Sequence, residues 1–589
     1  MAERTLREPP TEFIDWVRAN AIPLAGSDPG LSDRDLEPLR SLIGDARVLT
    51  LGEATHGTRE FFQLKRRLIE FCVREMNFTM FGLEAGYPDC LAINDYVMGT
   101  DDDDIFPSLA LASVWAWDCE EFLDLVRWMR AHNQRHDTLQ KINFWGWDPS
   151  WPASAVRRVV DYVNHEHPSL ATLSQGLTPL GTDFNASIYK FVPWAAQNAT
   201  ADAIVELAQA LETAPSHVRL LLRVLEQGER LLRSVTVNER FAGRSSGAAE
   251  TIGRLLELAG TESRMVAWAH NGHFQRANFV PGVESIGARL SKSFGKRHVT
   301  LGFAFSEGQF RAIDLASGEI RVFTLPPSPV GSLDAALATF DAPIFAIDLR
   351  EAPRSGAVHE WLAGEPPTRV MTSTWTEDEE LVSTVWGPLD KPNSLNWADP
   401  RDCFDILIFV RSTTASRGNH PDWPNSFLSL TEDVLPSAGY LGFVADADGR
   451  PEGWLIQSAP RPAGYRVDVA DGALVMSRGG APSYWGGDGR VSRAFSAVPY
   501  RGRRVRFSVR IEAESAGTSG RAQAYLRMDG PAAAVPSQYA VRFPLALALG
   551  SGDLEADVPP AAESITIGLV LSGNGRAVFR DPAFQALGQ

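Results

Sequence analysis

Val48-Leu-Thr-Leu-Gly-Glu-Ala-Thr-His56 is a short apolar run that leads directly into an acid and an imidazole. Three later apolar runs are built in the same way, and they lead into Glu84, Asp148 and His270. Short runs that are apolar on both faces are typical of parallel strands covered by helices. The pattern therefore predicts an α/β fold in which four strands carry ionisable side chains at their carboxyl ends.

The same alternation of strands and helices extends from about residue 31 to residue 414. Further strand candidates are Val299–Phe305, Ile344–Asp348 and Phe404–Val410. Amphipathic stretches between the strands predict helices at Glu60–Glu75, Glu120–His132 and Ala201–Arg233. We expect a mostly parallel sheet with helices on both faces and a helical insertion lobe at about residues 153–260.

The composition changes after Thr414. A turn-rich stretch predicts a linker at residues 419–430, and no lysine occurs beyond it. Short alternating segments such as Arg504–Ile511 and Ile565–Leu571 predict an all-β sandwich or jelly roll. The predicted organisation is thus an α/β domain over residues 1–418, the linker, and a sandwich over residues 431–589.

Charge and cysteine content restrict the partners and the compartment. The chain of 589 residues has a formal net charge of −17, which argues against nucleic acid because phosphate binding needs a cationic surface. The 4 cysteines form no C-x-x-C pair, and neither a signal peptide nor a membrane-spanning apolar run is visible. We expect a cytoplasmic protein that binds neither nucleic acid nor membrane.

Carboxylates and imidazoles that meet at one edge of a sheet have a clear chemical use. The carboxyl ends of parallel strands form the edge where α/β proteins bind ligands, so Glu53, Glu84 and His270 are expected to meet there. A histidine can take a proton from water when a carboxylate fixes its tautomer. A second histidine or a cation can stabilise the oxyanion that forms when water attacks a carbonyl. The cluster therefore indicates hydrolytic chemistry.

Several separated segments carry a family resemblance. They are Gly52-Glu-Ala-Thr-His-Gly57, Glu60-Phe-Phe62, Phe81-Gly-Leu-Glu84, Trp268-Ala-His-Asn-Gly-His273 and Phe404–Val410. In order and spacing they resemble the signatures of the erythromycin esterase family, over roughly residues 12 to 418. The resemblance implies a hydrolase that cleaves an ester or lactone, of macrolide type or a related natural ester. It also implies direct attack by water, with no covalent acyl-enzyme and no cofactor.

By position, the resemblance implies catalytic roles for five residues. His56 matches the base that activates water. Glu53 and Glu84 match carboxylates that orient the water and the imidazole, and His270 and His273 match a second histidine pair. These five residues form the predicted catalytic group.

Three further residues are predicted to bind the substrate. Lys65 occupies a position where family members often carry arginine. Arg244 matches another active-site arginine, although its surroundings depart from the usual acidic and asparagine-containing version. Asp148, which follows the third of the four apolar runs, completes the substrate-binding group.

A metal-dependent hydrolase is an alternative reading of the same cluster. His270-x-x-His273 lies near carboxylates in the predicted fold, and these are the ligand types of a metal site. No H-E-x-x-H helix is present, however. A metal-dependent amide or phosphate hydrolase therefore stays open, although the resemblance favours a reaction without metal. Gly243-Arg-Ser-Ser-Gly247 fits the pattern of a nucleophile elbow, but the residues before it are too polar for the strand that an elbow requires.

A glycan-binding protein without catalytic activity is the other alternative. The sandwich resembles carbohydrate-binding modules only in the general character of its sequence. Trp454, Tyr484 and Trp485 are aromatic residues of the kind that stack on sugars. The competing interpretation is that these aromatic side chains fill the core of the sandwich itself. A glycan at the C-terminal domain is thus a possible partner beside a small-molecule ester or lactone substrate.

Overall fold

The structure is a computed structural model. It describes residues 6–99, 115–135, 140–180, 189, 194–234, 236–314, 320–375, 395–418, 439–445, 451, 454–458, 465–478, 488–514, 521–529, 550–560, 562, 564–572 and 575–587. The predicted linker at residues 419–430 lies outside the described residues, as do Tyr484 and Trp485.

The described residues form two compact units. The first draws its residues from 1–103, 112–152 and 208–425, and the second draws them from 104–111, 153–207 and 426–589. Residues 153–207 thus group with the second unit, although the sequence assigns them to the first domain. The predicted boundaries at residues 418 and 431 stay predictions.

The helices of both units follow the amphipathic stretches of the sequence. In the described part of the chain they are α1 (Thr11–Asn20), α2 (Glu37–Ile43), α3 (Arg59–Met76), α4 (Tyr87–Met98), α5 (Glu120–Gln134), α6 (Ala153–Glu166), α7 (Ala171–Gln175), α8 (Trp194–Ala210), α9 (Ser216–Arg233), α10 (Val237–Ala259), α11 (Asn271–Phe274), α12 (Ile286–Phe294), α13 (Leu333–Leu337), α14 (Gly356–Ala363) and α15 (Pro400–Cys403). The predicted helix Ala201–Arg233 is divided between α8 and α9. Pro215 is the N-cap of α9 and lies in an extended conformation, because its ring cannot continue a helix.

Most strands of the first unit form one mostly parallel sheet. Within the described residues of this unit the strands are β1 (Ile22–Pro23), β2 (Val48–Leu51), β3 (Met80–Gly86), β4 (Asn143–Asp148), β5 (Met265–Trp268), β6 (His298–Asp314), β7 (Ile320–Leu325), β8 (Ile344–Asp348), β9 (Thr368–Arg369), β10 (Thr374–Trp375), β11 (Leu395–Asn396) and β12 (Ile406–Thr413). Strands β9 and β11 form a separate antiparallel pair. The sheet order is β1-β8-β12-β6-β2-β5-β3-β4, and the strands from β12 to β4 run parallel. Every residue of β2, β3 and β5 is buried, which requires cover on both faces of the sheet.

Strand β6 is much longer than the sequence suggests. The predicted strand ends at Phe305, whereas β6 continues to Asp314 and pairs with β7 as an antiparallel hairpin. The added part contains Gly308, which has a φ of 121° and lies against the backbone of Thr413. Glycine at this position weakens the strand pattern in the sequence while allowing the two backbones to approach closely.

The C-terminal strands form two antiparallel sheets. Over the described residues they are β13 (Gly439–Tyr440), β14 (Leu455–Ser458), β15 (Tyr465–Ala470), β16 (Ala473–Arg478), β17 (Asp488–Ser496), β18 (Arg504–Glu514), β19 (Arg521–Asp529), β20 (Gly550–Asp557), β21 (Ser564–Ser572) and β22 (Gly575–Ala586). One sheet has the order β15-β16-β22-β18-β20 and the other β14-β17-β21-β19. A single hydrophobic cluster that includes Phe507, Ile567 and Phe579 joins them, which confirms the predicted sandwich.

The aromatic residue Trp454 belongs to the core of the sandwich. It is 7% exposed and its ring lies 5.2 Å from the ring of Phe443. This placement agrees with a packing role for Trp454. Among the described residues, no helix of either unit is both long enough and apolar enough to cross a membrane.

Candidate active site

The four strand ends singled out in the sequence lie next to one another. Strands β2, β5, β3 and β4 are consecutive in the sheet and parallel, so the residues that follow or end them share one edge. These residues are Glu53, His270, Glu84 and Asp148. All of them are at most 5% exposed. The sheet therefore assembles the predicted ionisable cluster in a buried location.

Glu53 is the centre of the first half of the cluster. One carboxylate oxygen, Oε1, accepts a hydrogen bond from His56 Nδ1 at 2.7 Å. The other, Oε2, accepts from Lys65 Nζ at 2.7 Å and from Trp268 Nε1 at 2.8 Å. Glu53 is thus held by three donors while it fixes His56 in the tautomer that carries its proton on Nδ1.

The environment of His56 favours its protonated form. Burial lowers the pKa of His56, but the hydrogen bond and the negative charge of Glu53 outweigh burial and raise that pKa above its ordinary value. The His56 ring lies 4.9 Å from the ring of His270 and is edge-on to Trp117 at 6.0 Å. At 8% exposure, His56 keeps a small open face. It can therefore exchange a proton with a small molecule in the site.

His270 has both of its ring nitrogens bonded to the backbone. Nδ1 accepts from the Gly272 N–H at 3.2 Å, and Nε2 lies 2.9 Å from the carbonyl oxygen of Met371, to which it donates. Burial, together with the positive charges of His56 and His273, lowers the pKa of His270 well below its ordinary value. The His270 ring is therefore held neutral, with its proton on Nε2.

Arg244 organises the second half of the cluster. Its guanidinium donates to Glu84 Oε1 at 2.7 Å, its Nε donates to Asp148 Oδ2 at 2.9 Å, and its Nη1 lies 2.9 Å from His273 Nε2. Burial lowers the pKa of Arg244, but the charges of Asp148 and Glu84 raise it above its ordinary range. Arg244, at the centre of this half, is a fixed cation at the edge of the sheet.

Glu84 links this half to His270. Its Oε2 accepts from the His270 backbone N–H at 3.0 Å, and its Oε1 lies 3.1 Å from His273 Nε2. Burial raises the pKa of Glu84, but the charge and hydrogen bond of His273 and the charge of Arg244 hold it well below its ordinary value. Glu84 is therefore ionised and acts as an acceptor.

His273 Nε2 lies within reach of two groups that make opposite demands on it. Arg244 can only donate, so its bond to Nε2 needs the free lone pair of a neutral His273. Glu84 can only accept, so its contact with the same atom needs a protonated Nε2. Which of the two contacts is a hydrogen bond therefore depends on whether Nε2 of His273 carries a proton.

Asp148 and Lys65, for which the sequence predicts a substrate-binding role, are both buried and bonded to other groups of the protein. Asp148 is 1% exposed, and its Oδ1 is already bonded to the backbone and hydroxyl of Ser150 at 2.9 and 2.5 Å. Lys65 is 0% exposed, and its Nζ lies 4.2 Å above the Trp268 ring and in contact with Glu53. Lys65 therefore holds Glu53, and Asp148 holds Arg244, through hydrogen bonds.

The ligand types of a metal site are present, but their geometry is that of ion pairs. Within the part of the chain that the structure describes, no group of three or more His, Cys, Asp or Glu side chains is arranged to hold a metal ion. Lys65 pairs with Glu53, and Arg244 pairs with both Glu84 and Asp148. Gly243-Arg-Ser-Ser-Gly247, the formal nucleophile-elbow motif, lies inside α10 and not at a strand-to-helix turn.

Two residues of the site, Met371 and Trp117, are not predicted from the sequence. Met371 acts through its backbone, which leaves no signal in the sequence because every residue type has the same carbonyl. Trp117 donates from Nε1 to the Glu84 carbonyl at 3.2 Å. Its signal is the Trp115-Ala-Trp117 sequence between two predicted elements, because a buried tryptophan usually needs a hydrogen-bond partner for its ring N–H.

Fold and site together define a class of protein. It is an α/β protein that carries a buried carboxylate–imidazole pair and an arginine–histidine–carboxylate network at the carboxyl edge of a parallel sheet. The family model described as Erythromycin esterase matches residues 73–413. The chain belongs to the erythromycin esterase family, as the sequence motifs predict.

Individual relatives agree with this assignment. The chain is 33% identical over 136 residues to erythromycin esterase type II of Escherichia coli, a match that covers 23% of this chain and 31% of that relative. It is 23% identical over 374 residues to the putative hydrolase YbfO of Bacillus subtilis (strain 168), covering 56% of this chain and 80% of the relative. A crystal structure of a Bacillus cereus protein has the same fold, with a TM-score of 0.61 at 23% identity, and covers 69% of this chain and 99% of that one.

Proposed function

We propose that this protein is a carboxylic ester hydrolase that cleaves an ester or lactone, of macrolide type or a related natural ester, by direct attack of water. The observation that carries the proposal is the 2.7 Å contact between Glu53 Oε1 and His56 Nδ1. This contact leaves the Nε2 lone pair of His56 as the basic atom. It also provides a carboxylate that steadies the imidazolium when His56 takes a proton.

In the proposed reaction His56 Nε2 removes a proton from a water molecule. The water oxygen forms a bond with the carbonyl carbon, and the carbonyl electrons move onto the carbonyl oxygen. When the tetrahedral intermediate collapses, the bond to the alcohol oxygen breaks, and protonated His56 returns its proton to that oxygen. The products are a carboxylic acid and an alcohol, which stay in one molecule when the substrate is a lactone.

Arg244 and His273 are the proposed stabilisers of the oxyanion. Arg244 is a partly buried cation whose side chain keeps 20% of its surface exposed, and His273 keeps 14%. Donors held in place before the charge develops stabilise it without reorganisation. Their fixed positions come from Asp148 and Glu84, which we therefore assign as positioning residues, as we do Lys65.

His270 is assigned a different role from proton transfer. Both of its nitrogens are engaged with backbone groups, so moving a proton through this ring requires that one of these bonds breaks. We assign His270 the role of an uncharged side chain packed beside His56. Its neutrality keeps a second positive charge away from protonated His56.

The direct test is product analysis by mass spectrometry. Purified protein is incubated with a panel of macrolide lactones and simple esters, and each sample is examined for a product heavier by one water or for the free acid. The proposal expects hydrolysis of at least one lactone or ester. A panel without hydrolysis, combined with tight glycan binding, would instead support the inactive glycan-binding alternative.

The same assay separates the metal-dependent alternative. Elemental analysis of the purified protein and activity after chelation are measured on the confirmed substrate. We expect unchanged activity after chelation, since His56 and Arg244 supply the base and the cation. Loss of activity that returns with added metal contradicts the proposed mechanism. The cytoplasm stays the predicted location of the reaction.

A further inference from the structure

Met371 joins the two loops of the candidate active site. Its N–H donates to the Ala54 carbonyl at 2.6 Å, next to Glu53, and its carbonyl accepts from His270 Nε2 at 2.9 Å. Met371 is 1% exposed. A single buried residue thus fixes the loop that carries His56 relative to the loop that carries His270.

The residues before Met371 are anchored by a buried pair. The Arg369 N–H donates to Asp334 Oδ2 at 2.6 Å. The Arg369 guanidinium donates to the carbonyls of Ser306 and of Pro326, the latter at 2.7 Å. Asp334 is 0% exposed and lies in the first turn of the short helix α13. The chain from Arg369 to Met371 is therefore held at its start by Asp334 and at its end by both active-site loops.

We propose that Asp334 is a positioning residue for the catalytic histidines. Through the Arg369 N–H it fixes the position of the Met371 carbonyl, and this carbonyl fixes the proton of His270 on Nε2 beside His56. The structural part of the proposal stands on its own, whereas its catalytic consequence rests on the proposed function of His56.

The state of the Asp334 carboxyl supports this role. Its Oδ1 is buried and has no hydrogen-bond partner among the residues that the structure describes. Burial raises the pKa of Asp334 to about 7, against the opposing effect of the Arg369 N–H and charge. A protonated carboxyl has the shape of an asparagine amide. Asp334→Asn therefore keeps the acceptor for Arg369, whereas Asp334→Ala removes it.

The test follows the tautomer of His270 by NMR of the full-length protein labelled with ¹⁵N-histidine. Wild type and Asp334→Asn are expected to show His270 as one neutral tautomer protonated on Nε2. Asp334→Ala is expected to show a second tautomer or an averaged signal. Asp334→Ser, whose hydroxyl is too short to reach the Arg369 N–H, repeats the test if Asp334→Ala does not fold.

Ser332→Ala is the matched control. Ser332 is also fully buried and caps the same helix, with its Oγ accepting from the Ala335 N–H at 3.1 Å, whereas the hydrogen bonds of Arg369 go to Asp334, Ser306, Pro326 and Pro327. Its loss is expected to lower stability and to leave the His270 signal unchanged. An unchanged signal in Asp334→Ala, or an equal change in Ser332→Ala, overturns the proposal.

Kinetics on a confirmed ester supply the second readout. Asp334→Ala is expected to lower kcat roughly 10- to 100-fold with KM within about twofold, because a small displacement of catalytic groups slows the chemical step more than it weakens binding. Asp334→Asn is expected to stay within about twofold of wild type. Equal kcat in wild type and Asp334→Ala overturns the catalytic part. If the wild-type protein hydrolyses no ester, the proposed function is wrong. The NMR test of the Asp334 proposal can still be carried out, because it needs no substrate.

Discussion

At the scale of single residues, the chemistry depends on how one buried carboxylate is shared. Glu53 accepts from Lys65 and His56 on different oxygens, so it is shared between an ammonium group and an imidazole that must gain and lose a proton. Burial lowers the pKa of Lys65 to about 8, because the side chain is fully enclosed. The charge of Lys65 in turn opposes the rise in the pKa of His56. Lys65 thus adjusts the basicity of His56 through Glu53.

Replacing Lys65 by methionine should change both stability and pH dependence. Glu53 then keeps a buried charge without its cation, which costs about 3–5 kcal/mol in the free energy of unfolding. Without the opposing charge of Lys65 the pKa of His56 rises further, so the acid limb of the kcat/KM profile moves to higher pH. Urea unfolding and the pH–rate profile measure the two effects. Lys65→Arg keeps the charge and serves as the control. A Lys65→Met protein with wild-type stability and profile contradicts this account.

The sequence predicts the residues of the site better than their orientation. Glu53, Glu84 and His270 are predictable because strand ends are visible as the ends of apolar runs. The sequence also indicates that the Lys65 side chain points inward, since Lys65 lies on the same face of α3 as the buried residues Phe61 and Leu68. A lysine is rarely found fully buried, however. The substrate-binding role of Lys65 is predicted from the family resemblance, which does not define the direction of the side chain.

At the scale of elements, the active-site loop is held against the long strand β6. Gly57 has no side chain. A Cβ at this position would lie 2.1 Å from the carbonyl oxygen of Arg311 and 2.6 Å from its backbone nitrogen. The Gly57 carbonyl accepts from the Arg311 N–H at 3.0 Å. The absence of a side chain thus lets the loop that carries His56 lie directly on the backbone of β6.

Gly57→Ala is expected to separate this loop from β6. Since the obstructing atoms belong to the backbone, the loop itself has to move, and we expect a loss of about 1–3 kcal/mol in stability. We also expect at least roughly a 100-fold loss in kcat/KM. Gly253→Ala is the control, because a Cβ there meets nothing within 4 Å in the middle of α10 and should stabilise the protein by up to about 1 kcal/mol. Wild-type activity in Gly57→Ala contradicts the prediction.

The first residue of β6 is expected to make stability depend on pH. Burial lowers the pKa of His298 to about 3, and its ring bonds Thr50 Oγ1 at 3.1 Å and Ser291 Oγ at 2.9 Å. Between this pKa and the ordinary histidine pKa of 6.5, the unfolded chain binds a proton that the folded protein does not. Stability therefore rises with pH in this window, by up to about 1.4 kcal/mol per pH unit.

His298→Gln should remove this contribution. Urea unfolding of wild type and variant between about pH 4 and pH 6 measures the difference in slope. We expect the free energy of unfolding to depend less steeply on pH in the variant. Parallel curves for the two proteins show that His298 titrates normally in the folded state.

The elements also show where prediction from sequence ends. Strands whose residues are all or mostly buried, such as β2 and β8, are found almost where the apolar runs place them, since burial defines most of their length. The second half of β6 alternates glycine, polar and charged residues, so its pairing with β7 depends on tertiary contacts. The break before α9 was signalled by Pro215, a local feature that the amphipathic pattern obscured.

At the scale of the whole molecule, the α/β unit and the sandwich have different hydrophobic cores. One cluster contains Phe345 and Phe409 of the sheet, and another contains Phe579 and Ile567 of the sandwich. A change inside one core removes contacts from that cluster alone. We therefore expect thermal unfolding to show more than one transition.

Matched phenylalanine substitutions test this expectation. Phe345→Ala and Phe579→Ala each remove a side chain that is 0% exposed, and each should cost about 3–5 kcal/mol. In differential scanning calorimetry, Phe345→Ala is expected to lower the midpoint temperature of one transition. Phe579→Ala is expected to lower that of another. A single transition that moves by the same amount in both variants contradicts separate cores.

The central claim is that His56, held by Glu53, takes the proton from the attacking water. The most direct measurement is kcat/KM of His56→Asn relative to wild type on a confirmed ester, with thermal unfolding of both proteins. We expect a loss of roughly 10²- to 10⁴-fold, the contribution of a general base, with a nearly unchanged unfolding temperature. Hydrolysis by a folded His56→Asn protein at close to the wild-type rate would contradict the claim.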